Sequence, residues 1–110
     1  MKGTYLGEFE EVVLLAVAVR HEEAYGASVV EELEKQLKRP VNLGAVHSSL
    51  TRLAEKGLVN SEMGGASATA TRGGRRKRLY KVTAAGRAAL AEIHEIRNQM
   101  WKLIPKTALS

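Results

Sequence analysis

The sequence predicts a mostly helical α+β fold: three helices, then a β-hairpin, then a longer closing helix. Three observations carry this. Apolar residues recur every three or four positions in separate stretches of the chain. Two short runs of β-forming residues flank a glycine-led, strongly basic segment. Residues suited to cap or stop a helix (Pro40, Asn42, Gly57, Thr83, Pro105) fall at the joints.

The first helix is expected over Glu8–Arg20, with acids in its opening turn, Arg20 at its end, and Phe9, Val12, Val13, Ala16 and Val17 between. Its valine-rich middle also suits a buried strand; the length and the acidic opening favour helix. His21–Ala24 is a short polar connection. In Ala27–Lys38 the residues Val29, Val30, Leu33 and Leu37 fall on one face and Glu31, Glu34, Lys35 and Lys38 on the other, and Pro40 stops the helix. Asn42 is a good N-cap for a third helix, Leu43–Lys56. There Leu43, Val46, Leu50 and Leu53 form the expected buried stripe. Gly44, Ser48, Thr51, Arg52 and Glu55 face away from it, with His47 at the flank. Gly57 is placed to end that helix in a left-handed conformation. Leu58–Glu62 and Arg76–Val82 read as paired strands, with Tyr80 and Val82 on one side and a loop by composition over Gly64–Thr71. Thr83 caps a last helix, Ala84 to Ile104, which Pro105 ends.

At 110 residues, 45% hydrophobic and 26% charged, the chain suits one compact globular unit. Residues 1–82 are its winged part and 83–110 its closing helix. The formal charge is +5, but it is unevenly spread. Residues 63–91 hold seven Lys/Arg and no acid; the remainder, with ten Lys/Arg against twelve acids, is net negative. Positive charge concentrated on a hairpin suits a phosphate backbone, with an anionic membrane surface as the rival partner. The longest apolar run, Val12–Val19, is far short of a membrane span, and the N-terminus lacks a signal-peptide pattern. With no cysteine, the chain reads as a cytoplasmic protein.

Helix, helix, helix, strand, basic loop, strand, helix is the order of a winged helix-turn-helix. That order puts the third helix at the major groove and the hairpin beside the backbone. Gly44, Ser48, Ser49 and Thr51 keep the third helix slim, so it can enter a groove, and hydroxyls bond phosphates or base edges. The plain alternative is a solvated surface helix. Arg52 is its best cation for a phosphate or a guanine. On the hairpin, Gly73 and Gly74 allow a sharp turn. Arg72, Arg75, Arg76, Lys77 and Arg78 supply phosphate contacts.

Along the last helix Gly86, Ala89, Ile93, Ile96, Met100 and Leu103 step by three and four, with Leu90, Trp101 and Ile104 widening the stripe. A long helix that projects beyond a small core with one apolar side calls for a partner, and a homodimer is the simplest. Phe9, Val13, Ala89, Ile93, Ile96, Met100, Trp101 and Leu103 are its expected interface. The histidines His21, His47 and His94 share no ligand spacing, so no metal is expected. No cofactor motif, nucleophile arrangement or paired carboxylates stand out, which argues against an enzyme.

The segments Leu6–Glu11, Ala24-Tyr25-Gly26, Leu43–Leu53, Glu55–Val59 and Gly73–Gly86 resemble the PadR-type transcriptional regulators, in order and spacing, over about residues 6–90. The resemblance implies a dimeric winged helix-turn-helix protein that binds operator DNA, usually as a repressor, in the short form with a single C-terminal dimerisation helix. It also implies Tyr25 among the DNA contacts. Some members release DNA on binding a phenolic acid or a flat cationic drug, so a small-molecule inducer belongs to the expectation, its identity open. Two departures stand out. His47 occupies a position where members commonly carry Tyr, and Arg97 the position where some drug-sensing members carry an aromatic residue.

The expectation is therefore a dimeric repressor of a palindromic operator. Gly44, His47, Ser48, Thr51 and Arg52 would contact bases or phosphates, and Arg72–Arg78 would hold the flanking backbone. The alternative is a protein- or ligand-interaction module whose basic hairpin meets an acidic partner.

Overall fold

The computed structural model of the chain describes residues 5–64 and 77–109. Expected strand and loop positions between 65 and 76, including Arg72, Gly73, Gly74, Arg75 and Arg76, lie outside the described residues. The elements run α1 (Glu8–Arg20), α2 (Gly26–Leu37), α3 (Leu43–Glu55), β1 (Val59–Met63), β2 (Arg78–Val82) and α4 (Ala84–Leu103). Short 3-10 turns occupy His21–Glu23 and Lys106–Ala108. Helices and hairpin match the winged helix-turn-helix order that the sequence predicts.

Local chemistry explains the boundaries. The Asn42 side chain accepts a hydrogen bond from the Ala45 amide at 2.9 Å, which satisfies one of the free donors at the start of α3. Gly57 takes φ +77°, and the Gly57 and Leu58 amides donate to the carbonyls of Ala54 and Leu53. This left-handed glycine reverses the chain out of α3 and straight into β1. Thr83 accepts from the Gly86 amide at 3.0 Å and donates its hydroxyl to the Gly57 carbonyl at 2.7 Å. It starts α4 and ties that start back to the α3–β1 turn.

The three N-terminal helices pack on one another around Val13, Leu14 and Val17 of α1, Val29 and Leu33 of α2, and Val46, Leu50 and Leu53 of α3, all buried. Each such side chain contributes about 1.5–3 kcal/mol when taken fully out of water. The antiparallel pair β1–β2 sets Val59 opposite Val82 and Ser61 opposite Tyr80. Val59 and Tyr80 close the core from below. The Tyr80 amide donates to the Ala24 carbonyl at 2.8 Å, so the far edge of β2 is fastened to the segment entering α2.

Four expectations about packing are corrected. Leu43, assigned to the buried stripe of α3, is 47% exposed, because it sits in the first turn, where the helix overhangs the core. Ser49, grouped with the outward hydroxyls, is fully buried. Val13 and Ala89, expected at a dimer interface, lie in this chain's own core and have almost no surface to offer a partner. Gly86, assigned to the apolar seam of α4, is buried against the hairpin instead.

Gly86 has a specific reason to be glycine. A Cβ there would collide with the backbone carbonyl of Leu58 and come within 2.8 Å of Val82 Cγ1. Gly86→Ala is therefore expected to lower stability by about 1–3 kcal/mol, the usual cost of overpacking. Urea unfolding checks this, and an unchanged midpoint would show that the joint has slack.

Candidate nucleic-acid interface

The outward face of α3 carries Gly44, His47, Ser48 and Thr51, all exposed, with Glu55 beyond them. These are short side chains apart from His47 and Glu55, so the helix presents a slim ridge. Next to it a cleft of about 400 Å³ runs between α3 and the hairpin, lined by Thr51, Ala54, Glu55, Ser61, Arg78 and Tyr80. Arg78 is exposed and donates from Nη1 to Ser61 Oγ at 3.0 Å, which holds it along the hairpin.

The root of the basic segment is anchored at a second place. Lys77 Nζ lies 4.0 Å from the centroid of the Tyr25 ring, a cation–π contact at the start of α2. The Gly64 amide donates to the Lys77 carbonyl at 2.6 Å across the hairpin. One residue on from Tyr25, Gly26 lies under the His47 ring. A Cβ on Gly26 would meet His47 Cε1 at 2.9 Å and Nε2 at 3.1 Å. Of the expected DNA contacts, Tyr25, His47 and Lys77 thus meet at one corner, where α2 begins. Gly44, Ser48 and Thr51 continue the surface along α3.

Arg52 is placed differently from the rest. Its Nε donates to Glu10 Oε2 at 2.7 Å, and its Nη2 approaches Ser49 Oγ at 3.4 Å. Its side chain is half-exposed, but one edge of the guanidinium is committed to α1. Lys56 Nζ reaches the other oxygen of the same carboxylate, Oε1, at 2.7 Å, and the Tyr5 carbonyl at 2.7 Å. The Gly7 amide donates to Oε1 as well, at 3.3 Å. Glu10 is buried, and burial pushes its pKa up. Hydrogen bonds from Lys56, Arg52 and Gly7 more than offset this, and the carboxyl sits below its ordinary value of 4.5. Local sequence places Glu10 merely in an acidic first turn. A signal is nonetheless present: Glu10 shares the i, i+3, i+4, i+7 stripe with Val13, Leu14 and Val17, so it faces inward with them.

The second half of α4 leaves large apolar side chains in the open. Ile96, Met100, Trp101 and Leu103 of α4 are exposed, the last two at 66% and 74%. Phe9 and Ile93 are half-buried against the core. Leu15 and Val19 add exposed apolar surface on α1 that the helical periodicity does not single out. Arg97 bridges the two helices through Glu11, with Nη2–Oε1 at 2.7 Å and Nε–Oε2 at 3.2 Å. The hydrogen-bonded Glu11 carboxylate raises the Arg97 pKa further. Among the described residues no cluster of His, Cys, Asp or Glu could hold a metal ion, and no helix is long and apolar enough to cross a membrane.

A slim exposed helix beside a basic hairpin matches a known family. The model of the PadR-like family of transcriptional regulators matches residues 14–92. The chain belongs to the PadR-like family. Its members are non-enzymatic DNA-binding regulators. Solved structures of similar fold include a PadR-like transcription factor from Bacteroides fragilis (24% identity, TM-score 0.67, 86% of this chain and 84% of that one). A PadR family regulator from Eggerthella lenta is also similar (24% identity, TM-score 0.63, 90% and 88%). So is PadR of Bacillus subtilis in complex with operator DNA (15% identity, TM-score 0.63, 90% and 51%). No curated protein matches the sequence.

The Glu10 node makes a stability prediction. The folded carboxyl titrates below its unfolded value, so its contribution is fully present above about pH 4.5 and is lost as pH falls through the lower, folded value. Glu10→Gln is expected to flatten this acid limb of the stability profile. Glu10→Ala, which strands Lys56 and Arg52, should cost about 1–3 kcal/mol at neutral pH. Denaturant melts between pH 3 and pH 7 test both; an acid limb of equal steepness in Glu10→Gln would remove Glu10 as its source.

Proposed function

We propose that this PadR-like regulator acts in the cytoplasm as a dimeric repressor that reads a palindromic operator. The observation that carries the reading is the slim outward face of α3 lying beside the root of a hairpin rich in cations. In this reading α3 enters the major groove, with Gly44, His47, Ser48 and Thr51 toward the bases or the flanking phosphates. Arg52 contributes its free guanidinium edge. Tyr25, Lys77 and Arg78 meet the backbone at the groove wall, and Arg72, Arg75 and Arg76 extend that contact. The bound operator in the B. subtilis PadR structure supports the same use of the fold.

Two copies would join through Ile96, Met100, Trp101 and Leu103, whose exposure in a single chain is otherwise costly. Phe9 and Ile93 border that surface. Two-fold symmetry then requires two half-sites about one helical turn, roughly 10 bp, apart or a multiple of that.

Selecting bound duplexes from a random pool with the full chain is the direct test. It should return an inverted repeat, and a pool with no enriched sequence would sink the reading. Replacing Arg75 and Arg76 by Ala should weaken binding to operator and random duplex alike. It should also flatten the plot of log K against log salt by about 0.9 for each phosphate that is no longer neutralised. An unchanged slope would take those arginines out of the interface. Trp101→Glu, at an exposed position, should leave the fold intact and shift the sedimentation mass from two chains to one; a mass unaffected by the substitution would argue against this interface.

A further inference from the structure

We infer that Leu43 is a specificity-determining residue whose side chain reads the C5-methyl group of a thymine in the major groove. The inference rests on the placement of α3 in that groove. Hydrophobic periodicity puts Leu43 in the core, yet the structure leaves it 47% exposed in the first turn of α3. The first turn is the part of a helix-turn-helix recognition helix that meets base edges.

The side chain lies close to the start of α2. Its Cδ1 lies 3.6 Å from where a Cβ would stand on Gly26, and the His47 ring, one turn along α3, covers the same glycine. Leu43 and His47 therefore rest side by side on the bare start of α2, one apolar and one polar. Gly44, the next residue toward the outward face, has no side chain to screen Leu43. Among the residues of the outward α3 surface it is the one large hydrocarbon side chain described.

A branched hydrocarbon has little to gain from most of the major groove. The base edges present donors and acceptors that Leu43 cannot satisfy, and the thymine methyl is the apolar feature among them. Covering that methyl removes apolar surface of both partners from water. Covering a cytosine or guanine edge instead leaves polar groups without partners.

The test uses the full-length chain and an operator recovered by selection, with each thymine replaced singly by deoxyuridine. This deletes one methyl and keeps every hydrogen-bonding group. One thymine in each half-site should lose about fourfold in affinity, the worth of one methyl-sized group taken out of water. In Leu43→Ala, folded as judged by its circular dichroism, the same replacement should change nothing. Specific binding in which no thymine methyl matters overturns the assignment. So does a methyl dependence that survives in Leu43→Ala. Failure of the wild-type chain to prefer any operator over random duplex overturns the placement of α3 itself, and the inference with it.

Discussion

The buried carboxylate of Glu10 ties the first and third helices together. Glu10 leaves water only because Lys56, Arg52 and the Gly7 amide surround it. Without them its charge would cost several kcal/mol in the interior. The bonds join the first turn of α1 to the last turn of α3 across more than forty residues of chain, and with the buried apolar stripe they fix the rotation of α3 about its own axis. Whatever α3 shows to the outside follows from that rotation. The stripe of Val46, Ser49, Leu50 and Leu53 is turned in, and Gly44, His47, Ser48 and Thr51 are turned out. Arg20 makes a similar bond between α1 and α2, to the buried Glu32. There the Gln36 amide and then Arg20 outweigh burial and hold the carboxyl below its usual range. Two ion-paired acids thus fix both helices of the helix-turn-helix against α1.

The same node divides the cations into two groups. Lys56 and one edge of Arg52 share the Glu10 carboxylate, which cancels one of their two charges and leaves the outer edge of Arg52 as the part of the pair open to a phosphate. Lys77 and Arg78 sit on the hairpin, where Tyr25 and Ser61 hold them without neutralising them. In a DNA-bound state most of the sequence-independent attraction would come from the hairpin side, and most of the choice among sequences from the nearly uncharged face of α3.

What the sequence makes legible is local. Capping by Asn42 and Thr83, the stop at Gly57 and the three-four spacing of apolar residues each act within one turn of helix. The helix boundaries they predict match to within a residue or two. Features that depend on distant partners escape such a reading. Glu10 looks like a dipole-complementing surface acid, because its partners stand at 52 and 56. Gly86 and Ala89 fit a helical seam, because nothing adjacent in sequence announces the Leu58 carbonyl or the core they pack on. Leu43 obeys the apolar period and still lies outside the core, since period gives direction around a helix and not how far the core extends along it. For the candidate site, the residue types on α3 are legible. The tie that removes part of Arg52, and the corner where Tyr25, Gly26, His47 and Lys77 meet, are not.

The joint between hairpin and last helix has a mechanical consequence. β2 ends at Val82 and α4 begins at Ala84, so one residue, Thr83, connects them. That residue is pinned by its amide to the Leu58 carbonyl and by its hydroxyl to the Gly57 carbonyl. No hinge lies between the part that would grip DNA and the part that would join two chains. A pair built on α4 would then act as a caliper whose arms are stiff at Thr83. One base pair inserted between its contact points rotates one of them by about 34° around the duplex axis. With the Thr83 joint pinned, it would fall to the DNA to twist to fit. The torsional stiffness of the untouched central base pairs becomes part of what such a pair selects.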